Sequence, residues 1–273
     1  MAFRTILVQL DLDEAPGPRL QLARQLAGRF KAKLMAFAAA EADLIAPVGD
    51  NGTGAAEAMR MQVEEIEKRL DEIRGEVLKV AGGGQADWIG LVDDPSTSLT
   101  RHARAADLIV TGPCNRRPSR SRGVIDPGSL ILSAGRPVLV PAEDLAAVRA
   151  ESIVVAWKDV REARRAVADA MPFLASARKV AVMTVAEDDV AEARHSVADV
   201  GAFLERHGVS AQPVVIHDGK MTAIDAVEKV AAEIGADLVV AGGYGHSRLR
   251  EWAFGGMTRS LLAKGGLHRL FSN

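Results

Sequence analysis

Short runs of aliphatic residues alternate along the chain with longer segments of helical period. The runs are rich in Val, Ile and Leu at consecutive positions, so we expect strands that are covered on both faces, as in a parallel sheet flanked by helices. The predicted strands lie near residues 4–10, 33–39, 87–92, 107–112 and 137–140, and again near 152–157, 179–185, 211–216, 237–242 and 267–271.

The segments between these runs have the spacing of amphipathic helices. Apolar residues from Met59 to Leu78 recur every three or four positions with charged residues between them, which predicts a long helix from about residue 55 to residue 80. The same spacing from Ile224 to Ile234 predicts a helix that stops at Gly235, because glycine favours helix C-termini. Strands and helices therefore alternate.

The order of elements occurs twice. Three segments match in pattern, namely 5–10 with 152–157, 33–37 with 179–183, and 106–110 with 236–240. We therefore predict a tandem duplication of two α/β domains, a first half of residues 1–142 and a second half of residues 151–273. Each would hold five strands in an open parallel sheet, with its ligand crevice at the carboxyl ends of the strands.

Composition narrows the class of protein. The 273 residues are 48% hydrophobic and 26% charged, which supports a folded core, and the net charge of −2 argues against nucleic acid or an anionic membrane as the main partner. The single cysteine excludes internal disulfides. The apolar run from Ile6 to Leu10 is cut off by Asp11 and Asp13, too early for a signal or membrane segment. We expect a cytoplasmic protein.

The segment from Val240 to Gly256 carries the most chemistry. A predicted strand opens into Gly242, Gly243 and Gly245, and after an interval of nine residues two more glycines follow, Gly255 and Gly256. Glycines allow close approach to backbone amides, and a helix that begins beside such a turn attracts anions, so this spacing is typical of phosphate binding. The pattern Gly-x2-Gly-x9-Gly is neither a P-loop nor a dinucleotide fingerprint.

This spacing after a fourth strand resembles the universal stress protein family, and the duplication resembles its tandem members over essentially the whole chain. The resemblance implies flavodoxin-like or Rossmann-like sheets of strand order 3-2-1-4-5, with ATP or AMP bound where the order reverses. It assigns phosphate contacts to Gly242, Gly245 and Gly255 and places Val185 beside adenine and ribose. It also implies a stress-response role.

The same resemblance implies that the two halves form a pseudo-dimer within the chain. The last predicted strands of the halves, residues 136–140 and 268–272, would pair, which would cover two exposed strand edges. Further dimerisation of whole chains stays open.

The second half departs from the family pattern in its flanks. Gly256 stands where the family usually has Ser or Thr, and Thr258 comes two residues later. Where the family usually has Asp after its first strand, this half has Lys158, followed by Asp159. Asp159 could serve after a shift of one residue, and Lys158 could reach the phosphates as a point charge.

Two further side chains are candidates for the same site. Trp157 could stack on a base or fill the pocket, and His246, directly after Gly245, could touch a phosphate. The other histidines do not cluster with further ligand types, so we predict no metal site.

The first half keeps an acid, Asp11, after its first strand but has lost the glycine pattern. Its fourth strand leads into Gly112, Asn115 replaces the second glycine, and Ile125 stands where the third belongs. Gly128 comes three positions too late. We therefore predict a degenerate phosphate loop in this half.

Other polar features have simpler explanations that compete with function. The four arginines between residues 116 and 122 could bind an anion or an acidic partner, but such runs are typical of solvated loops. Asp93 and Asp94 before a proline predict a turn and a helix cap, and Cys114 is expected to be inert. The glycine loop itself could be an inherited turn that needs positive φ angles.

The leading hypothesis is a nucleotide-binding stress module without fast turnover, because no general base or Mg²⁺ carboxylate is placed by the sequence. A non-nucleotide interaction or regulatory protein with degenerate sites is the alternative, and slow ATP hydrolysis also stays open. We predict no catalytic residue.

Overall fold

The computed structural model describes residues 2–43, 53–82, 86–112, 125–186, 188–244, 256–263 and 265–273. The strands are β1 (Thr5–Gln9), β2 (Lys33–Ala40), β3 (Ala86–Val92), β4 (Leu108–Val110), β5 (Val138–Val140), β6 (Ser152–Ala156), β7 (Lys179–Val185), β8 (Gln212–Ile216), β9 (Leu238–Gly242) and β10 (His268–Ser272). The helices are α1 (Gly17–Phe30), α2 (Thr53–Ala81), α3 (Pro95–His102), α4 (Pro127–Ser133), α5 (Arg161–Leu174), α6 (Val190–Arg206), α7 (Ala223–Ile234) and α8 (Gly256–Ala263).

All ten strands join in one sheet. The order β3-β2-β1-β4-β5-β10-β9-β6-β7-β8 gives each half the order 3-2-1-4-5 from its own outer edge to the centre. Pairing is parallel within the halves, while β5 and β10 pair antiparallel, with Leu139 opposite Leu270. The α/β fold, the strand order and the pairing of the last strands are therefore confirmed.

Two helical layers cover the sheet. One face packs against α1, α2, α5 and α6, and the other against α3, α4, α7 and α8. Strand residues alternate between these cores, for example Ile6 and Val8 on one side and Leu7 on the other, all at 0% exposure. Burial on both faces explains why the strands appear in the sequence as continuous aliphatic runs.

Local signals also set the helix ends. The α7 helix ends before Gly235, whose φ of 64° lies in the left-handed region and whose N–H donates to the carbonyls of Ala231 and Ala232. The Asp94 side chain accepts a hydrogen bond from Thr97 N and caps α3. The predicted glycine stop and the predicted aspartate cap are both confirmed.

The halves also meet through α1 and α5. Phe30 of α1 contacts Phe3 and Phe173, with ring centroids 5.0 and 5.3 Å away. Arg29 donates to the carbonyls of Val148 and Arg149, which lead into the second half. The connection between the halves is therefore held against the first helix.

Candidate functional site

In each half the first and fourth strands end beside the first turn of the first helix, the place where an open parallel sheet is expected to form a ligand crevice. We call the ends of β1 and β4 with α1 the first crevice, and the ends of β6 and β9 with α5 the second crevice. The β6–β9 register pairs Ala156 with Ala241, so the residues that follow these strands emerge at the same sheet edge. Outward crossovers on either side of this pair make it the reversal point of the sheet.

In the second crevice, Gly242 packs directly on a helix backbone. A Cβ at this position would lie 2.6 Å from Ala163 N and 2.8 Å from the carbonyl carbon of Glu162, both in the first turn of α5. Gly242 does not have a positive φ angle. The interpretation that the turn needs positive φ is therefore wrong for this glycine, which is required because two backbones touch.

Both backbone polar groups of the next glycine, Gly243, form hydrogen bonds within the protein. Gly243 N donates to Ser272 O at 2.8 Å, and its carbonyl accepts from the Asn273 side chain at 2.7 Å. A Cβ on Gly243 would lie 2.4 Å from the Ile131 side chain of α4, in the first half. Gly243 N is thus engaged within the protein and is not available to a ligand.

Tyr244 joins this loop to both neighbouring helices. It has a positive φ of 54°, which is uncommon for a residue with a side chain. Its N–H donates to the Thr258 hydroxyl at 3.3 Å, so Thr258 connects the end of β9 to α8. Its own hydroxyl lies 2.3 Å from where a Cβ on Gly128 would be. Sequence reasoning missed Tyr244, although a bulky residue between Gly243 and Gly245 marks the position.

The other candidates in this half lie in different environments. Trp157 is 8% exposed in the core between sheet and α6, where its indole N–H donates to Ser196 Oγ at 2.9 Å. Stacking of this ring on a base stays a prediction. Lys158 and Asp159 are exposed after β6, with Asp159 hydrogen-bonded to Arg164, and Val185 is half-buried at the end of β7.

Part of the predicted glycine loop lies outside the described residues. The loop residues outside the described part of the chain are Gly245, His246 and Gly255. In the first half, Cys114, Asn115 and the four arginines also lie outside it. Gly256 is described, and it is the exposed first residue of α8. The predicted helix start beside the last glycines is therefore confirmed.

The first crevice is filled by a side chain that the sequence analysis did not single out. Arg19, in the first turn of α1, is 3% exposed. Its guanidinium donates to Gln9 O and Gln9 Oε1 at 2.9 Å each, to Asp11 Oδ2 at 2.7 Å and to Glu14 Oε2 at 2.9 Å. Asp11, the acid that follows the first strand, is therefore paired with an arginine of its own chain.

Gly112 packs on this guanidinium. A Cβ at Gly112 would lie 2.4 Å from Arg19 Nη2 and 2.7 Å from Arg19 Cζ. A sequence signal for this arrangement existed: an arginine on the otherwise apolar face of α1, preceded by three acids on the strand-to-helix connection. Gly112 and Gly242 thus occupy matching places against different neighbours.

The late glycine of the first half is part of a helix. Gly128 and Ser129 lie in α4, and the Asp126 carboxylate caps that helix by accepting from Ser129 N at 2.7 Å. A carboxylate at this end of α4 occupies the place where an anion would otherwise bind. Gly128 therefore does not supply the missing turn.

The crevices differ in the sign of the surrounding charge. The connection from β1 to α1 carries three acids, Asp11, Asp13 and Glu14, and one base, Arg19, in the first helical turn. The connection from β6 to α5 carries three bases and two acids: Lys158, Arg161, Arg164, Asp159 and Glu162. A negatively charged ligand is favoured at the second connection over the first.

Glu162 is the acid that opposes this trend. It is 7% exposed in the first turn of α5, and the guanidinium of Arg161 contacts its Oε1 at 2.9 Å. The buried charged residue in the first turn of α1 is Arg19, the third residue of that helix, whereas Glu162 is the second residue of α5. The buried charged residue of the first helical turn thus has opposite sign in the two halves.

The acids after β3 take part in turn chemistry. Hydrogen bonds from the Ser98 side chain and from Asp94 N lower the pKa of Asp93, and hydrogen bonds from Thr97 lower the pKa of Asp94. Within the described residues, no group of three His, Cys, Asp or Glu side chains could hold a metal ion. No helix in that part of the chain is long and apolar enough to cross a membrane.

Comparison with known proteins agrees with this architecture. No family model and no curated protein matches the sequence. Among solved structures, a universal stress protein from Archaeoglobus fulgidus DSM 4304 matches at 15% identity with a TM-score of 0.70, covering 98% of each chain. A functionally unknown protein from Pseudomonas aeruginosa PAO1 matches at 17% identity with a TM-score of 0.58, covering 99% of this chain and 92% of that one.

A universal stress protein candidate from Pseudomonas aeruginosa UCBPP-PA14 matches at 16% identity with a TM-score of 0.59, covering 99% of this chain and 93% of that one. At such identities the likeness is one of fold. The chain has the fold of the universal stress proteins along its whole length, and the resemblance found in the sequence is confirmed at that level.

Proposed function

We propose that this chain is a cytoplasmic nucleotide-binding module of the universal stress type, in which the second half, residues 151–273, holds ATP or AMP. The first half, residues 1–142, is proposed as a second domain of the same fold that binds no nucleotide. The two domains act as an intramolecular pseudo-dimer, and neither nucleic acid nor a membrane is a partner.

The observation that carries the proposal is the contrast between the crevices. The second crevice is bordered by a net basic connection and by the start of a glycine-rich loop, whereas Arg19 and its acidic partners fill the first. Phosphates bind where backbone amides and positive charge converge, and a crevice with excess carboxylate repels them. The difference favours one site in each chain.

The residues proposed for that site form three groups: those on the phosphate side, one beside the base and ribose, and two that support the site. Gly242, Gly245, Gly255 and Gly256 belong to the phosphate side, with His246 and Lys158 as charged or polar additions. Val185 would border the base and ribose. Trp157 and Asp159 would support the site from outside it, since Trp157 is tied to Ser196 and Asp159 to Arg164. No fast turnover is included, because no base or metal carboxylate pair is placed by the sequence.

One observation favours the alternative of a non-nucleotide interaction protein. Gly243 N is already hydrogen-bonded to Ser272 O, and Glu162, whose backbone lies against Gly242, is a buried acid. Both features reduce what the described part of the second crevice can give to a phosphate. In this alternative the crevice binds an uncharged or cationic ligand, or a protein.

Calorimetric titration with ATP and with AMP separates the two functions. We expect binding by the wild type at about one nucleotide per chain and its loss in Gly245→Val, because a branched side chain blocks approach to the loop amides. Gly201→Val is the matched control, since Gly201 has open space around it on α6, in the part of that helix far from the crevice.

Binding that survives Gly245→Val, or no binding by folded wild type, would support the interaction protein instead. Slow hydrolysis is tested separately, as phosphate release above an enzyme-free control. That release must disappear in Gly245→Val before an ATPase activity is assigned.

A further inference from the structure

The Arg19 side chain is bound in the first crevice as a ligand would be. A guanidinium group has five N–H donors, and four of those in Arg19 are directed at named acceptors: two at Gln9, one at Asp11 and one at Glu14. Within the described residues, only the Nε atom of this group has no hydrogen-bond partner. The group is buried to 3% exposure.

The acceptors are themselves held in place. Gln9 is 3% exposed at the end of β1, and its Nε2 donates to Asp11 Oδ1 at 2.7 Å, which orients the carboxylate toward Arg19. The Arg19–Asp11 and Arg19–Glu14 pairs are made by side chains that are 4%, 15% and 26% exposed. Such a layer of oriented acceptors is typical of a built binding site.

The backbone just after β4 packs against the Arg19 guanidinium. Gly112 follows that strand, and its position lies so close to Arg19 Cζ and Nη2 that any Cβ would overlap them. The crevice thus combines a set of hydrogen-bond acceptors with a backbone segment that carries no side chain. This combination fits a flat group. A planar guanidinium satisfies both, whereas an ammonium is compact and cannot span the acceptors.

We propose that the first crevice is a guanidinium-binding site whose ligand is supplied by the chain itself, as Arg19. The site selects a planar cation and excludes phosphates, both because it is occupied and because its acceptors are acidic. In this view the first half did not simply lose a phosphate loop, since its crevice now binds a group of opposite charge. The inference does not depend on nucleotide binding by the second half.

The test removes the internal ligand and supplies it from solution. Arg19→Ala leaves Asp11 and Glu14 unpaired, and we expect its Tm to be lower than the wild-type value by about 8 °C. Millimolar ethylguanidinium chloride should then raise the Tm of Arg19→Ala by about 3 °C at ten times its dissociation constant. Ethylammonium chloride and sodium chloride at equal concentration should not.

Controls separate this effect from general salt effects. Arg24→Ala removes an exposed arginine from the same helix and should not respond to ethylguanidinium. The response should also be lost when Asp11→Asn is added to Arg19→Ala. Equal shifts by ethylguanidinium and ethylammonium, or no shift in folded Arg19→Ala, would overturn the proposal.

Two further measurements keep the proposal testable if Arg19→Ala does not fold. Ethylguanidinium during refolding should restore folded protein, and failure to do so counts against the site. Arg19→Lys keeps the charge without the planar group, so we expect a Tm between those of Arg19→Ala and the wild type; a Tm equal to wild type contradicts guanidinium recognition.

ATP should create no additional binding site in folded Arg19→Ala, and a new ATP site in this variant would overturn the argument that the first crevice excludes phosphates.

Discussion

Gly112 and Gly242 hold matching places in the two halves, yet they are glycines for different reasons. Gly242 touches the backbone of the first turn of α5, whereas Gly112 touches the guanidinium of Arg19 from the first turn of α1. In one half the helix approaches the strand directly, and in the other a buried arginine is placed between them. The two halves therefore share the same residue type at this place, although the neighbour that requires it differs.

The two halves have the same sheet architecture although the charged residues at their crevices differ. Strand order, the two helical layers and the glycine after the fourth strand are the same in both halves. The buried charge in the first helical turn is reversed, with Arg19 in the first half and Glu162 in the second. The residues that give the two halves the same fold thus differ from those that give their crevices different charge.

The largest effect is expected from adding a methyl group at the two glycines. Gly242→Ala should lower the free energy of unfolding by about 3 kcal/mol, because its Cβ meets backbone atoms that cannot move separately. Gly112→Ala should cost less, about 1.5 kcal/mol, since the atoms it meets belong to a side chain. Urea unfolding measures both.

Gly219→Ala is the control for these variants, because no atom lies within 4 Å of its Cβ position. It should stay within about 0.5 kcal/mol of wild type. Equal losses of unfolding free energy in Gly112→Ala and Gly242→Ala would mean that the Arg19 side chain moves aside no more easily than the backbone of a helix does.

The next largest effect concerns the connection between the halves. Arg29 donates to Val148 O, Arg149 O and Ser176 Oγ and lies over the rings of Phe30 and Phe173. Arg29→Met should lower the free energy of unfolding by about 1.5 kcal/mol, since the bonds to a charged group are partly exposed.

Calorimetry of Arg29→Met should show whether the halves then unfold in separate steps. Arg24→Met, at an exposed position of the same helix, is the control and should leave one transition unchanged. If Arg29→Met also behaves as wild type, the halves are joined mainly through β5 and β10.

A smaller effect compares the caps of two corresponding helices. Asp94 Oδ1 caps α3 by accepting from Thr97 N at 2.8 Å, while Thr222 Oγ1 caps α7 by accepting from Asp225 N at 3.3 Å. We expect Asp94→Ala to cost about 1 kcal/mol and Thr222→Ala about 0.5 kcal/mol in urea unfolding.

The Asp94 cap also has a pH dependence with a definite sign. Hydrogen bonds hold its pKa below the ordinary 3.8, so its contribution is present above pH 3.8 and is lost as the pH falls below that value. The difference between wild type and Asp94→Ala should therefore shrink in acid. A difference that stays constant would mean that the charge is irrelevant to the cap.

The smallest effect is expected at the junction of β5 and β10. Burial lowers the pKa of His268 below its ordinary 6.5, and its neutral Nδ1 accepts from Ala142 N at 3.0 Å. Stability from this group is present above pH 6.5 and is lost as the pH falls below it, because protonation removes the acceptor. Urea unfolding between pH 7 and pH 5 measures the loss.

His268→Asn is the matched variant, since an amide oxygen can accept the same bond without titrating in this range. We expect a flatter stability profile for His268→Asn between pH 7 and pH 5. An unchanged profile would place the pH dependence elsewhere.

Much of the fold could be predicted because its signals are local. Aliphatic runs marked all ten strands to within two residues, and Gly235 and Asp94 marked helix ends through their own backbone preferences. Of the candidate site, the start of α8 beside Gly256 was predicted. The packing of Trp157 against Ser196 was not, because a single aromatic residue after a strand fits a pocket wall and a core equally well.

The sequence by itself determined the repeated order of strands and helices, the parallel pairing within each half and the strand ends that border the two crevices, since these follow from periodicity and from the order of elements. Only the tertiary structure decided what fills those crevices. Arg19 meets Gln9, Asp11 and Glu14 because a helix turn folds back over the end of β1. Contacts of this kind depend on side-chain direction and burial, which a one-dimensional pattern of polar and apolar residues does not record.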